Sequence, residues 1–175
     1  FQGDVRDKNS LQQAIDKFRP EIIFHLAAQS LVRKSYEDPI LTFTTNSIGT
    51  LILLECLRNQ PSIIACVLIT SDKCYENVEW VWGYRETDSL GGPDPYSASK
   101  GAAELAIRSH IKSFFPKDGS VNIAVGRAGN VIGGGDWASE RIVPDCVRSW
   151  SKGKTVQLRN PQASSTKSKK KIKNQ

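Results

Sequence analysis

Two histidines, His25 and His110, and four cysteines at positions 56, 66, 74 and 146 are all that the 175-residue chain offers to a soft metal. They form no CxxC pair and no ligand-type spacing, so no metal site is expected. Cys56 and Cys66 lie inside apolar runs and read as buried free thiols, the usage of a reducing, cytoplasmic compartment. No continuous apolar run approaches the roughly 20 residues that cross a bilayer, and no cationic-plus-apolar leader opens the chain at Phe1. A membrane partner is therefore not expected. No repeat period is evident. Hydrophobic residues at 39%, with 13 Gly and 8 Pro, exclude collagen, a disulfide miniprotein and wholesale disorder. The length suffices for one domain with its own core.

Acidic residues are in the minority, 18 against 24 Lys and Arg, for a net charge of +6. Five of those positive charges are Lys167, Lys169, Lys170, Lys171 and Lys173, with no acid nearby, which leaves +1 for residues 1–166. Residues 163–175 are almost all Ser, Lys, Asn and Gln and read as a disordered basic tail. A solvated end is the expected role, and no nucleic-acid partner follows from a near-neutral body. Salt-dependent DNA binding that vanishes on deleting residues 164–175 is the observation that would revive that reading.

What is present alternates between helix and strand patterns. Asn9-Ser10 caps an expected helix with Leu11, Ala14, Ile15 and Phe18 on one face, stopped by Pro20. Residues 22–27 form a short apolar run, expected as a strand covered on both faces. A long helix is expected from Pro39 to about Arg58, a β-branched strand over 63–70, a helix over 96–115, a strand over 121–125, a helix over 142–150 and a short strand over 155–158. Such alternation means βαβ units in a doubly wound α/β fold with a parallel sheet. That architecture places its ligand at the carboxyl ends of the strands.

Each strand end therefore bears inspection. Leu26-Ala27-Ala28-Gln29-Ser30 follows the first, small residues that let a ligand near the backbone or simply pack tightly. Thr70-Ser71-Asp72-Lys73 follows the second and brings hydroxyl, carboxylate and ammonium together, as a site for proton transfer or as a capped turn. Then comes Tyr96-Ser97-Ala98-Ser99-Lys100, which sets a phenol and an ammonium on one helical face. The ammonium favours the phenolate. Pro93-Asp94-Pro95 fixes the entry of that helix.

A Ser/Thr strand end followed by Tyr-x-x-x-Lys resembles the signature of the short-chain dehydrogenase/reductase superfamily. The flanking text is similar to its extended branch, which modifies nucleotide sugars. Gly3-Asp4-Val5-Arg6-Asp7 resembles the adenine-contacting segment, and His25-Leu26-Ala27-Ala28 the segment beside the cofactor. Thr45-Asn46-x-x-Gly49-Thr50 resembles the helix whose Asn supports the active site. Arg127-x-Gly129-Asn130-Val131 and Arg141-Ile142-Val143-Pro144 resemble segments that meet the sugar nucleotide. The resemblance covers about residues 1–162. Residues 70–77 and 129–137 resemble members of that branch that act on CDP-glucose, which the resemblance implies as substrate, with a UDP- or dTDP-sugar dehydratase or epimerase as the alternative.

The resemblance implies a Rossmann-type, NAD-binding domain over 1–128, incomplete at its N-terminal end. It also implies the start of a smaller sugar-nucleotide-binding part over 129–162, with 163–175 as tail. Catalytic roles fall to Ser71, Asp72, Lys73, Tyr96 and Lys100. Cofactor contacts fall to Asp4, Val5, Leu26, Ala27, Ala28, Thr45, Thr70, Tyr96 and Lys100. Substrate contacts fall to Gln29, Ser30, Asn46, Asn130, Arg141 and Ile142. Tyr96 takes the C4 hydroxyl proton, Ser71 bonds the same oxygen, and Asp72 assists water loss from C6. Lys73 stands either as the base for the C5 proton, for which its pKa must fall, or as the partner that orients Asp72. Homo-oligomers form in this branch through helices such as 39–58 and 96–115. Two departures are visible: the phosphate-cradling Gly-rich turn expected before residue 1 is not in the sequence, and the resemblance stops where the lysine tail starts. A catalytically inactive remnant, serving only as a scaffold, is the competing class.

Overall fold

The computed structural model describes residues 1–58, 60–115, 119, 121–138 and 141–158. The basic tail lies outside the described residues. Two compact units are present, Phe1–Gly129 and Asn130–Ser165.

In the first unit, three parallel strands stand in the order β1 (Ile22–His25), β2 (Ala65–Ser71), β3 (Asn122–Ala128). Register pairs His25 with Leu68 and Leu68 with Val125. Helix α1 (Lys8–Phe18) begins one turn earlier than Asn9-Ser10 suggests: Asp7 is the cap, its carboxylate accepting from the amides of Asn9 and Ser10. The helix ends at Arg19, left-handed at φ 45°, just before Pro20. Ile15 of α1 joins Leu53, Leu54, Leu57, Ile63, Cys66, Leu68 and Ile107 in one core on one face of the sheet. Among the described residues β1 is covered on that face only. Ile22 and Phe24 point the other way and are 54% and 65% exposed, so the two-sided burial expected of this strand is not found.

The long helix after Pro39 is interrupted. It runs as α3 (Pro39–Phe43), a π-helical turn (Thr44–Ile48) and α4 (Gly49–Leu57). By length and composition alone Pro39–Leu57 is apolar enough to cross a membrane, which no continuous apolar run had signalled. Its buried side, however, carries Thr42, Asn46, Ser47 and Thr50, all bonded within the protein, which fits a core helix. Short α2 (Val32–Glu37) precedes it.

After β2 come a 3₁₀ turn (Asp72–Cys74), an irregular loop and helix α5 (Pro95–Phe114). Asp94 caps α5, accepting from the Ser97 amide and hydroxyl, with Pro95 in the first turn. His110 of α5 bonds Glu55 of α4 across 2.8 Å. The second unit contains α6 (Ile142–Trp150), as expected. Residues 155–158, expected as a strand, are irregular and have no ladder partner among the described residues.

Candidate functional site

β2 ends on Thr70 and Ser71, and the chain turns at once. Ser71 caps the 3₁₀ turn: its Oγ accepts from the Lys73 amide and donates to Asp72 Oδ1, both at 3.2 Å. Asp72 is thus held by Ser71. No Asp72–Lys73 ion pair forms, and Lys73 is exposed. The carboxylate faces the end of β3, where a Cβ on Gly129 would lie 3.6 Å from Asp72 Oδ2.

Helix α5 packs against this turn. Tyr96 and Lys100 lie one turn apart on it, 8% and 6% exposed. Burial pulls the Lys100 pKa down, while the negative charge of Glu104 works the other way. The Cys74 thiol is pushed up to about 12 by burial, with Glu104 adding to it, so it is no thiolate at neutral pH. Close approach of turn and helix depends on Gly101. A Cβ there would stand 2.8 Å from Gly91 N and 2.9 Å from Gly91 Cα. Gly91, at φ 107°, donates its amide to Cys74 O at 2.7 Å. Gly101→Ala is expected to push the turn away from α5 and lower kcat by about 100-fold, since displacements near 1 Å cost that much. Steady-state kinetics of the full-length protein check this.

The π turn supplies the third wall. Asn46, 1% exposed, accepts from the Gln29 amide at 2.9 Å and donates to Gln29 O at 3.0 Å and to Ser99 Oγ at 2.9 Å. It clamps the loop after β1 to the helix that carries Tyr96 and Lys100. A π turn at such a place re-aims one side chain out of the ordinary helical register. Neighbouring Thr45 is half-buried. Thr50 Oγ1 donates to Asn46 O at 2.7 Å and lies 3.0 Å from His25 Nε2. With its proton so used, Thr50 accepts, which places the His25 hydrogen on Nε2.

Burial, and then Lys100, push the His25 pKa down to about 4. Because the unfolded chain titrates near 6.5, stability is full above that pH and falls as pH drops through 6.5 to 4. A loss of about 2–3 kcal/mol is expected over that window, measured by denaturant unfolding and absent in His25→Gln.

The other expected residues fall in different places. Asp4, Val5 and Ala27 line one cavity of about 240 Å³ together with Gly3 and His25. Asp4 itself is exposed, and the hydrogen-bonded Arg6 beside it holds its carboxyl down at about 2. Leu26 is exposed and Ala28 half-buried. Gln29 spends its side chain inside the loop, on Leu31 and Thr42, and Ser30 is exposed. Thr70 is buried, its hydroxyl donated to Glu104. Asn130, Arg141 and Ile142 belong to the second unit. There Arg141 reaches Asp136 at 3.8 Å and Ile142 is 62% exposed.

Two site-proximal groups escaped the sequence reading: Glu104, and Gly101 as a contact point. Glu104 continues the Tyr96–Lys100 face by one more turn, the one signal that marks it. The donor it needs, Arg127, arrives from a distant strand.

The sequence profile of the GDP-mannose 4,6 dehydratase family matches residues 1–159. A CDP-glucose 4,6-dehydratase of Salmonella typhimurium is 54% identical over 163 residues, covering 91% of this chain and 45% of that protein. A CDP-paratose 2-epimerase of Salmonella typhi is 30% identical over 152 residues, 78% of this chain and 44% of its own length. Among solved structures, a dTDP-glucose 4,6-dehydratase from Streptomyces venezuelae with NAD bound superposes with TM-score 0.76 at 25% identity, over 89% of this chain and 45% of that one. A Thermus thermophilus UDP-glucose 4-epimerase in complex with NAD gives TM-score 0.68 at 33% identity, over 80% and 44%. The chain spans about half the length of the curated relatives it matches.

Proposed function

The chain belongs to the GDP-mannose 4,6 dehydratase family, and from that premise we propose that its full-length protein converts CDP-glucose to CDP-4-dehydro-6-deoxyglucose with bound NAD. One observation carries the reading: the Ser71–Asp72–Lys73 turn packs against the helix that bears Tyr96 and Lys100, at the carboxyl end of the central strand. A 4-epimerase needs a base and a hydride acceptor at C4 but no acid for water loss. The Asp72 carboxylate beside Ser71 therefore favours a dehydratase.

The residues present fit a dinucleotide. The cavity beside Asp4, Val5 and Ala27 takes its adenosine end, and the Lys100 ammonium, on the Tyr96 side, holds the nicotinamide ribose. NAD held there would supply the hydride acceptor for oxidation at C4 and the hydride donor for reduction at C6. Tyr96 Oη removes the C4 hydroxyl proton, and the nearby ammonium of Lys100 lowers the cost of the phenolate. Ser71 Oγ donates to the C4 oxygen. The C4 ketone acidifies the C5 proton, which Lys73 removes. Asp72 protonates the C6 hydroxyl as it leaves as water. Asn46 orders the wall between the loop after β1 and α5, and Asn130, Arg141 and Ile142 contact the sugar nucleotide. The protein works in the cytoplasm as a homo-oligomer, and Ile40, Ile48 and Leu105, exposed on α3, the π turn and α5, suit such an interface.

Incubating the full-length protein with CDP-, UDP- and dTDP-glucose, without added reductant, tests the assignment. The expected result is a CDP-sugar lighter by one water. Turnover confined to a UDP- or dTDP-sugar would overturn the choice of nucleotide.

A further inference from the structure

A buried ion pair sits directly behind the proton-transfer groups. Glu104, 5% exposed, lies one turn beyond Lys100 on the same face of α5. Its Oε1 accepts from Thr70 Oγ1 at 2.5 Å and from Arg127 Nε at 2.9 Å, and its Oε2 accepts from Arg127 Nη2 at 2.8 Å. Arg127 stands opposite Thr70 in the β2–β3 ladder. Its remaining arm, Nη1, donates to Tyr75 Oη at 2.7 Å and to Glu86 O at 3.4 Å, and the guanidinium lies 4.8 Å from the Tyr75 ring centre. The hydrogen bonds to Glu104 raise the Arg127 pKa.

The placement of these contacts is informative. Thr70 immediately precedes Ser71, and Tyr75 immediately follows the Asp72–Cys74 turn. Both ends of the segment that carries Ser71, Asp72 and Lys73 are therefore fastened to one pair of side chains. Glu104 rises from the helical face that also carries Tyr96 and Lys100, and Arg127 reaches it from β3. A fork-to-fork Arg–carboxylate contact is geometrically stiff. A buried pair is a poor source of stability, because apolar residues of similar size often fold as well. Its value here is geometric.

We propose that Glu104 and Arg127 are positioning residues that fix the Ser71–Asp72–Lys73 turn relative to Tyr96 and Lys100. They touch neither substrate nor cofactor. They hold the C6 acid and the C4 base at the separation one hexose requires. This inference rests on the dehydratase reading of the same site.

The double variant Glu104→Leu/Arg127→Met of the full-length protein removes the pair without stranding a charge. Thr70→Val removes one bond at constant shape, and Thr70→Ser restores it. The readouts are kcat and KM for CDP-glucose and hydrogen exchange at the amides of residues 71–75. The double variant and Thr70→Val are expected to melt cooperatively, to lose about 100-fold in kcat with KM little changed, and to exchange faster at 71–75 but not in the core strands. Thr70→Ser, which restores the bond to Glu104, is expected to return exchange at 71–75 to the wild-type rate. Folded variants with wild-type kcat and unchanged exchange at 71–75 would overturn the proposal. If the double variant does not fold, hydrogen exchange at 71–75 in Thr70→Val decides alone. If the wild-type protein dehydrates none of the three nucleotide sugars, the dehydratase reading fails, and exchange at 71–75 still decides whether the pair holds the turn.

Discussion

Tyr96→Phe is expected to abolish turnover while the fold survives. The ring is almost wholly buried in α5, where Phe repeats its shape and packing, so what is lost is the hydroxyl. In the proposed mechanism that oxygen, as the phenolate, is the base for the C4 proton, and without it the first hydrogen transfer has no proton acceptor. A positioned general base is worth roughly 10²–10⁴-fold. The loss is expected near the upper end, because the nearest alternative bases are poorly placed. Asp72 is hydrogen-bonded to Ser71, and Lys73 is exposed. Circular dichroism and the melting temperature should match wild type while kcat collapses. Near-normal activity in a folded Tyr96→Phe protein would refute the assignment of the base.

Asp72→Asn separates the two halves of the reaction. In the proposed mechanism oxidation at C4 depends on Tyr96, Lys100 and Ser71, all intact in this variant. Loss of water from C6 depends on a proton that an amide cannot supply. Overall turnover is expected to fall roughly 10²–10⁴-fold, and a single turnover should leave a 4-keto sugar that has kept its C6 hydroxyl. The Ser71 Oγ donor finds an amide oxygen where it found a carboxylate oxygen, so the turn geometry is retained. Mass analysis of the quenched sugar nucleotide distinguishes this arrest from a general loss of activity. Full turnover in Asp72→Asn would remove Asp72 from the mechanism.

The chemistry-bearing residues were legible because their spacing is local. Tyr96 and Lys100 declare themselves at i and i+4, and Ser71-Asp72 as polar groups at the end of an apolar run. The parallel sheet followed from the same alternation. Three features were hidden for physical reasons. The π turn at 44–48 leaves no mark on apolar periodicity, since it re-aims a single residue within a helix that otherwise continues. The outward exposure of Ile22 and Phe24 is a property of which elements cover a sheet, and an apolar run reads the same whether one face or two are covered. The Glu104–Arg127 pair joins residues 23 positions apart through tertiary packing, and only one of the two lies on a recognisable face.

The account stands most directly on the intramolecular path of one hydrogen, from C4 to C6 of the same sugar. CDP-glucose carrying deuterium at C4 should be given to the full-length protein in ordinary water, and the product examined by NMR. The account predicts the deuterium at C6 of a 4-keto-6-deoxy sugar, with a solvent hydrogen at C5. Deuterium lost to solvent, or found again at C4 of an epimerised or unchanged hexose, would contradict it.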